Sequence, residues 1–406
     1  MTSISPFLTR LAQERSPDRF ERAAAHMLTF ELYARVRDAG EFTESSANAA
    51  DDIRARLSGD ALTPAETLLC AVLTALPAWG APATAHTAAR AAYSAWIEYA
   101  DVMIGEAAFD VAAHVLRTVG AHAEIDGHRG ISAHARAREG FALASQARWE
   151  EAEWVYRRAW ELGRATKHWS IAYRAQLGRV NVLRQRGNLP GAEEMLQDVI
   201  RMGARRAPDV LPRALLLRGA IAHSRGLYDD AVVWAARALD VADDEVMRMR
   251  IFVDLASFMS DVADARIADV ARRVLEYVAV NASDRRIRLH ASVNLLSHAV
   301  SSKREDAFRA LRASIPVSAL TPQNAAYYWL FVAEGCRVFG IAHERESALD
   351  EAERISRENR FGQIWFQVET ERERSANVVV ADVPATPASR RMLRAANRVS
   401  RALATA

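Results

Sequence analysis

The sequence predicts an all-α protein, an α–α superhelix of helix–turn–helix repeats with a period near 40 residues, and three observations carry this expectation. Ala112, Ala152, Ala192, Ala231 and Ala271 stand 40, 40, 39 and 40 residues apart. Around each alanine the setting recurs. Phe109, Trp149, Leu189 and Tyr228 stand three residues before the first four, with Ala268 the exception. Four and seven residues after come Leu116 and Val119, Tyr156 and Ala159, Leu196 and Val199, Ala235 and Ala238, and Leu275 and Val278, which is one face of a helix. Strands are hardly signalled: the one β-like run, residues 378–380, comes just before Pro384 and Pro387, and prolines there argue against a sheet. Repeats of this kind stack into a continuous core and present a long surface, not a single catalytic pocket.

Taken in order, residues 1–60 read as an N-terminal helical bundle or capping repeat, with helices over 5–14, 17–39 and 43–57. Gly40 and Phe42 give the second link the look of a repeat turn, and a solenoid end needs a polar outer face. The segment is Glu-rich where a DNA-recognition helix would be basic, so no helix-turn-helix is expected. The uncharged stretch 67–85 is broken by Pro77, Gly80 and Pro82, leaving about thirteen apolar residues, which suits a core helix and is too short for a membrane span. The repeats then occupy 61–356. Twelve residues before each alanine stand Ala100, Gly140, Val180, Gly219 and Met259, on the preceding helix, and five before stand Ala107, Ala147, Gly187, Gly226 and Arg266. Small residues at the first of these positions let two antiparallel helices approach, and a bulkier residue would overpack the crossing. Two degraded units follow, one through Ala307 and Leu311 and one through Ala348 and Ala352.

Residues 357–383 are expected to form a C-terminal helix over 364–373, with Trp365, Phe366 and Val368 on its apolar side, and a linker. Residues 384–406 carry a last helix, 389–404, with Met392, Ala396, Val399 and Leu403 in one stripe and Arg390, Arg394, Arg398 and Arg401 opposite. With Arg391 this helix carries a charge of +5 and no acidic residue, while the whole chain carries only +2.

The order of small residue, turn, aromatic and alanine resembles the tetratricopeptide repeat (TPR). Gly140, Leu143, Trp149, Ala152, Tyr156 and Ala159 match that motif position by position, as do Gly219, Gly226, Tyr228, Ala231 and Ala238. The unit around Gly187, Leu189 and Ala192 departs at Val180, and the period exceeds the family's usual 34, so a HEAT-type solenoid is the structural alternative. The layout, an N-terminal bundle followed by six or seven repeats, also resembles the Rap-type peptide-responsive regulators of bacteria. That resemblance implies a signalling peptide held by groove asparagines and a conformational change of the superhelix.

Composition narrows the function. A net charge of +2 over 406 residues gives no global field to draw the chain onto nucleic acid. Of 53 basic residues only Lys167 and Lys303 are lysine, the usage of a GC-rich genome, although arginine also suits paired hydrogen bonds to carboxylates. Cys70 and Cys336 have no metal-like spacing and read as small buried residues. No secretory signal is apparent, so a cytoplasmic location is the expectation. There is no phosphate-binding glycine loop, metalloprotease motif, nucleophile elbow or calcium loop. His122, His128 and His134 recur every six residues with Gly127 and Gly130 between them, a spacing that shares no helical face and reads as a solvated turn, not a metal site. No cofactor and no metal are expected.

The binding surface is read from the repeat register. In a TPR superhelix the first helix of each unit lines the groove. Six residues before the small residue stand His134, Arg174 and Arg213; one after stand Phe141, Asn181 and Ala220; four after stand Ala144, Arg184 and His223. Arg174, Asn181 and Arg184 share one helical face. The asparagine amide can pair with a peptide bond while the arginines take a carboxylate, from a side chain or a C-terminus. The alternative is that these arginines are merely solvated. Trp149 is expected in the core, and Trp154 and Trp160 packed against a neighbouring repeat. The function expected is a non-enzymatic protein that binds a peptide or protein segment in its groove, regulatory in role. A scaffold contacting partners through outer helix faces or the arginine arm (Arg390, Arg391, Arg394, Arg398, Arg401) is the second reading, and an enzyme with an unrecognised site the third.

Overall fold

The start and stop signals in the chain act where the sequence places them. Pro17 opens a helix that ends at Gly40 in the left-handed conformation (φ 70°), which glycine adopts without a Cβ clash. Thr43 caps the next by accepting from the Ser46 amide, and Thr63 with Glu66 forms a reciprocal capping box. The computed structural model describes residues 5–14, 16–58, 62–80, 82–260, 262, 264–374 and 388–404. Among the described residues there are twenty α-helices and no strand. The run 378–380 and the prolines at 384 and 387 lie outside them.

Two units can be described separately, one formed by residues 1–143 and 154–172, the other by 144–153 and 173–406. The first contains α1 (Pro6–Gln13), α2 (Pro17–Ala39), α3 (Glu44–Leu57), α4 (Pro64–Ala75), α5 (Pro82–Gly105), α6 (Phe109–Ile125), most of α7 (Arg129–Ser145) and most of α8 (Trp149–Ala165). Its core is aromatic: Tyr33, Tyr93, Trp96 and Tyr99 are fully buried. The expectation of a solvated histidine turn fails here. His122 Nδ1 lies 2.8 Å from the Tyr33 hydroxyl, and the His128 ring stacks on His86 with centroids 4.1 Å apart. The α6–α7 turn folds these rings onto the aromatic core, which no local spacing encodes.

The second unit contains α9 (Trp169–Gln185) from Tyr173 onward, α10 (Leu189–Arg206), α11 (Leu211–Ser224), α12 (Tyr228–Asp240), α13 (Glu245–Ser260), α14 (Ala265–Asn281), α15 (Arg285–Ser301), α16 (Glu305–Ser314), α17 (Pro322–Val338), α18 (Ala342–Glu358), α19 (Gly362–Glu373) and α20 (Arg390–Ala404). Each odd-numbered helix touches the next odd-numbered one from α11 to α19, so these form one layer, against which the even-numbered helices from α10 to α18 pack.

The alanine register is the core of this arrangement: Ala112, Ala152, Ala192, Ala231 and Ala271 are all fully buried. Close approach is measurable at the glycines. A Cβ on Gly140 would meet the Tyr156 ring at 2.7 Å, and one on Gly219 would sit 3.0 Å from the Ala231 carbonyl. The position five before the alanine is the turn. Ala107, Ala147, Gly187 and Gly226 all have positive φ, at 64°, 58°, 82° and 73°. Arg266 breaks the rule: it lies within α14, where Asp264 caps the helix by accepting from the Arg266 and Ile267 amides. The unit read through Ala307 is shifted by one residue. Ala307 is half-exposed, whereas Phe308 is fully buried and fills the space over Gly335. Trp149 is buried as expected, but Trp154 is 62% exposed and does not pack as the sequence reading held.

Candidate functional site

In the second unit the register places Arg174, Asn181 and Arg184 on α9 and Arg213 and His223 on α11; His134 and Phe141 belong to α7 in the first unit. His134 and Phe141 are half-buried, with the Arg138 guanidinium 5.5 Å from the Phe141 ring centre. On α9, Arg174 is half-exposed and pairs with Asp209 at 2.9 Å. Arg213 is exposed on the first turn of α11. His223 stacks on Phe258 with centroids 4.8 Å apart, so much of its ring serves packing.

Asn181 and Arg184 do come together. The Asn181 carbonyl accepts from Arg184 Nη2 at 3.1 Å and from Nε at 3.3 Å, the i, i+3 relation of one helical face. Arg184 Nη1 reaches Ser224 Oγ on α11 at 3.4 Å. Both partners are neutral. Burial lowers the Arg184 pKa from its ordinary value; Tyr327 and Asp254 act to raise it and Arg250 to lower it. The guanidinium stays charged all the same.

Residues that the register did not flag complete the surroundings. Asp254 on α13 lies 3.7 Å from Arg250 and 4.0 Å from His290 of α15. Burial brings His290 down to about 4, with Arg250 and Arg286 pushing the same way and Asp254 opposing, so this ring is neutral at pH 7. Arg184, Arg250, Asp254 and neutral His290 together leave one positive charge in excess. Gln185 Nε2 donates to the Gln323 side chain of α17 at 2.9 Å. This bond brings the C-terminal end of α9, next to Arg184, against the start of α17 within the second unit.

The register could not have found the α13 and α15 groups. Carried forward from Met259, it points to Val253, which is 1% exposed core, because α13 is rotated relative to the earlier units. What it could have flagged is the run Arg250, Asp254, two charges four apart on a helix whose other residues are mostly apolar.

Other arginines of the second unit behave differently. Arg354 pairs with Glu351 and Glu358, Arg272 with Asp269 and Glu276, and the buried Glu371 is held by Arg337, Arg345 and Arg374. Among the described residues, Arg184 hydrogen-bonds only to amide and hydroxyl groups.

No family model matches the chain, and no curated protein matches it. Among solved structures it is similar to a Rap protein complexed with competence and sporulation factor, at 11% identity and a TM-score of 0.53, over 86% of this chain and 99% of that one. It also matches the TPR domain of P58(IPK) at 12% identity, over 84% of this chain and 99% of that one, with a TM-score of 0.22. The first likeness establishes a TPR-like all-α superhelix.

Proposed function

We propose that this protein binds a peptide or protein segment in a groove of its second unit, and that Arg184 receives a carboxylate of that ligand. The observation that carries this is a part-buried guanidinium whose hydrogen bonds, among the described residues, go to neutral partners only, in a group of charges one positive in excess. A part-buried arginine whose hydrogen bonds go to neutral groups is the arrangement that favours a ligand bringing a carboxylate in bidentate geometry. Asn181 then has two tasks. Its carbonyl orients Arg184, and its amide is placed to pair with a peptide bond. The solved Rap protein of similar fold is complexed with competence and sporulation factor, which agrees with a peptide as ligand and with a regulatory role.

The test is capture from a library of short peptides with free C-termini and its amidated counterpart, by the wild-type chain and by Arg184→Gln. Loss of a charge-assisted pair is expected to weaken retention by about ten- to a hundredfold, in the variant and, for a terminal carboxylate, in the amidated library. Equal retention by wild type and Arg184→Gln would refute this assignment. Arg174→Gln, whose arginine already has Asp209, is expected to change retention less.

A further inference from the structure

The C-terminal helix α20 is not at the end of the repeat stack. It touches α12 and α14, which precede it in sequence by more than 100 residues. Met392, Ala395, Ala396 and Val399 are 1%, 7%, 3% and 0% exposed, and they share a core with Ala235 and Leu239 of α12 and Val274 and Val278 of α14. Arg391 faces Asp230 at 3.6 Å, and Arg398 pairs with Asp240. These aspartates stand at the two ends of α12, so α20 runs along it in the same direction.

The α12 and α14 helices belong to consecutive repeats, and α20 lies outside that connectivity. Its hold is modest in kind. The fully buried stripe consists of two alanines, a valine and a methionine, with Leu393 and Leu403 only partly buried against the same core, so it hides less area than a helix with buried Leu or Phe would. Its two ion pairs are at the surface, where such pairs contribute little. A helix of 15 residues is marginal by itself in water, so undocking also unravels it. Arg390 and Arg394 are exposed, and among the described residues neither has an ion pair. The docked helix therefore keeps more positive charge than the cleft's acids use.

We propose that the α12/α14 cleft is a binding site for an amphipathic helix of another protein, one with a stripe of small apolar residues and arginines one heptad apart, and that α20 occupies it in the meantime. The chemistry of the partner follows from the cleft: walls that include Ala235, Leu239, Val274 and Val278 receive apolar side chains, and Asp230 and Asp240 select basic ones. A tethered occupant competes by its local concentration, so the site is guarded in the full chain. This surface is separate from the Arg184 site, and it stands or falls without it.

The probe is a fluorescein-labelled, N-acetylated peptide of residues 388–406, titrated in fluorescence anisotropy against full-length proteins. Val399→Asp places a charge in the fully buried contact and undocks α20 while leaving the cleft intact. That variant is expected to bind the peptide at least about tenfold more tightly than wild type does, because its internal competitor is gone. The same peptide carrying the Val399→Asp change is expected not to bind, and Asp240→Arg in the undocked variant is expected to weaken binding. If Val399→Asp proves unfolded by circular dichroism, the double variant Arg391→Asp/Arg398→Asp, which keeps the apolar stripe, replaces it. Equal affinity of wild type and undocked variant, or no binding to either, would overturn the proposal. So would a wild-type chain that dimerises with concentration and loses this on Val399→Asp, since the occupant would then be a second copy's α20.

Discussion

At the scale of single residues, the repeat turns show how one backbone requirement shapes the sequence. The turn five residues before each of the first four register alanines needs a left-handed residue, and the chain meets it with Gly187 and Gly226 but also with Ala107 and Ala147. An alanine held at positive φ costs about 1 kcal/mol relative to glycine. Ala147→Gly is therefore expected to stabilise the protein by roughly 0.5–1 kcal/mol, and Gly187→Ala to destabilise it by a similar amount, both read as shifts of the urea midpoint. A loss of stability in Ala147→Gly would contradict the account. Gly140 is a different case, since its need is space: Gly140→Ala drives a methyl into Tyr156 and is expected to cost about 1–3 kcal/mol. Two histidines add a pH dependence. His26, 2.9 Å from the Tyr99 hydroxyl, is brought down to about 4 by burial and by Arg10, with Glu66 opposing; His290 is likewise near 4. A ring that is neutral when folded and takes up a proton when unfolded contributes stability above about pH 6.5 that is lost as pH falls toward 4. Equilibrium unfolding between those values is expected to show that slope, reduced in His290→Gln. An unchanged slope in His290→Gln would mean that its ring is solvated in the folded chain.

At the scale of elements, a helix is specified by its own sequence, and its neighbours are not. Pro17–Ala39 and the helices begun by Thr43 and Thr63 start and stop at signals readable within a few residues, and α20 shows its stripe and its arginines in the primary sequence. That α20 lies on α12 and α14 is not readable, because a stripe of Met392, Ala396 and Val399 fits any small-residue cleft. The shift from Ala307 to Phe308 has the same origin. A lone residue cannot announce that a ring will fill the space over Gly335 from the neighbouring helix. Trp154 is the converse case: a large aromatic in a repeat helix suggests packing, yet the face it occupies is exposed.

At the scale of each whole unit, the second one closes on itself. Trp149, fully accounted for by its repeat, donates its indole N–H to the Asn359 carbonyl at 3.0 Å and lies against Phe361, while Glu150 pairs with Arg360 at 2.6 Å, 210 residues away. Trp149→Phe keeps the ring and removes the donor. It is expected to cost about 1 kcal/mol and to speed hydrogen exchange of the Phe361 amide, which bonds to the Ser356 carbonyl. The exposed Glu150–Arg360 pair is expected to show a coupling below about 1 kcal/mol in a double-mutant cycle. Unchanged exchange at Phe361 in Trp149→Phe would show that the clasp does not hold this turn. What the sequence by itself determined is the repeat: helix lengths, turn positions and the buried alanines follow from periodicity and backbone conformation, which act over a few residues. It also put Asn181 and Arg184 on one face. Only the tertiary structure decided that Arg184 has no acidic hydrogen-bond partner among the described residues while Arg174 has Asp209, that Arg250, Asp254 and His290 gather near it, and that α9 meets α17. Charge balance and desolvation are sums over everything nearby in space, and the small rotation of each repeat on the last, compounded along the stack, sets which distant residues become near.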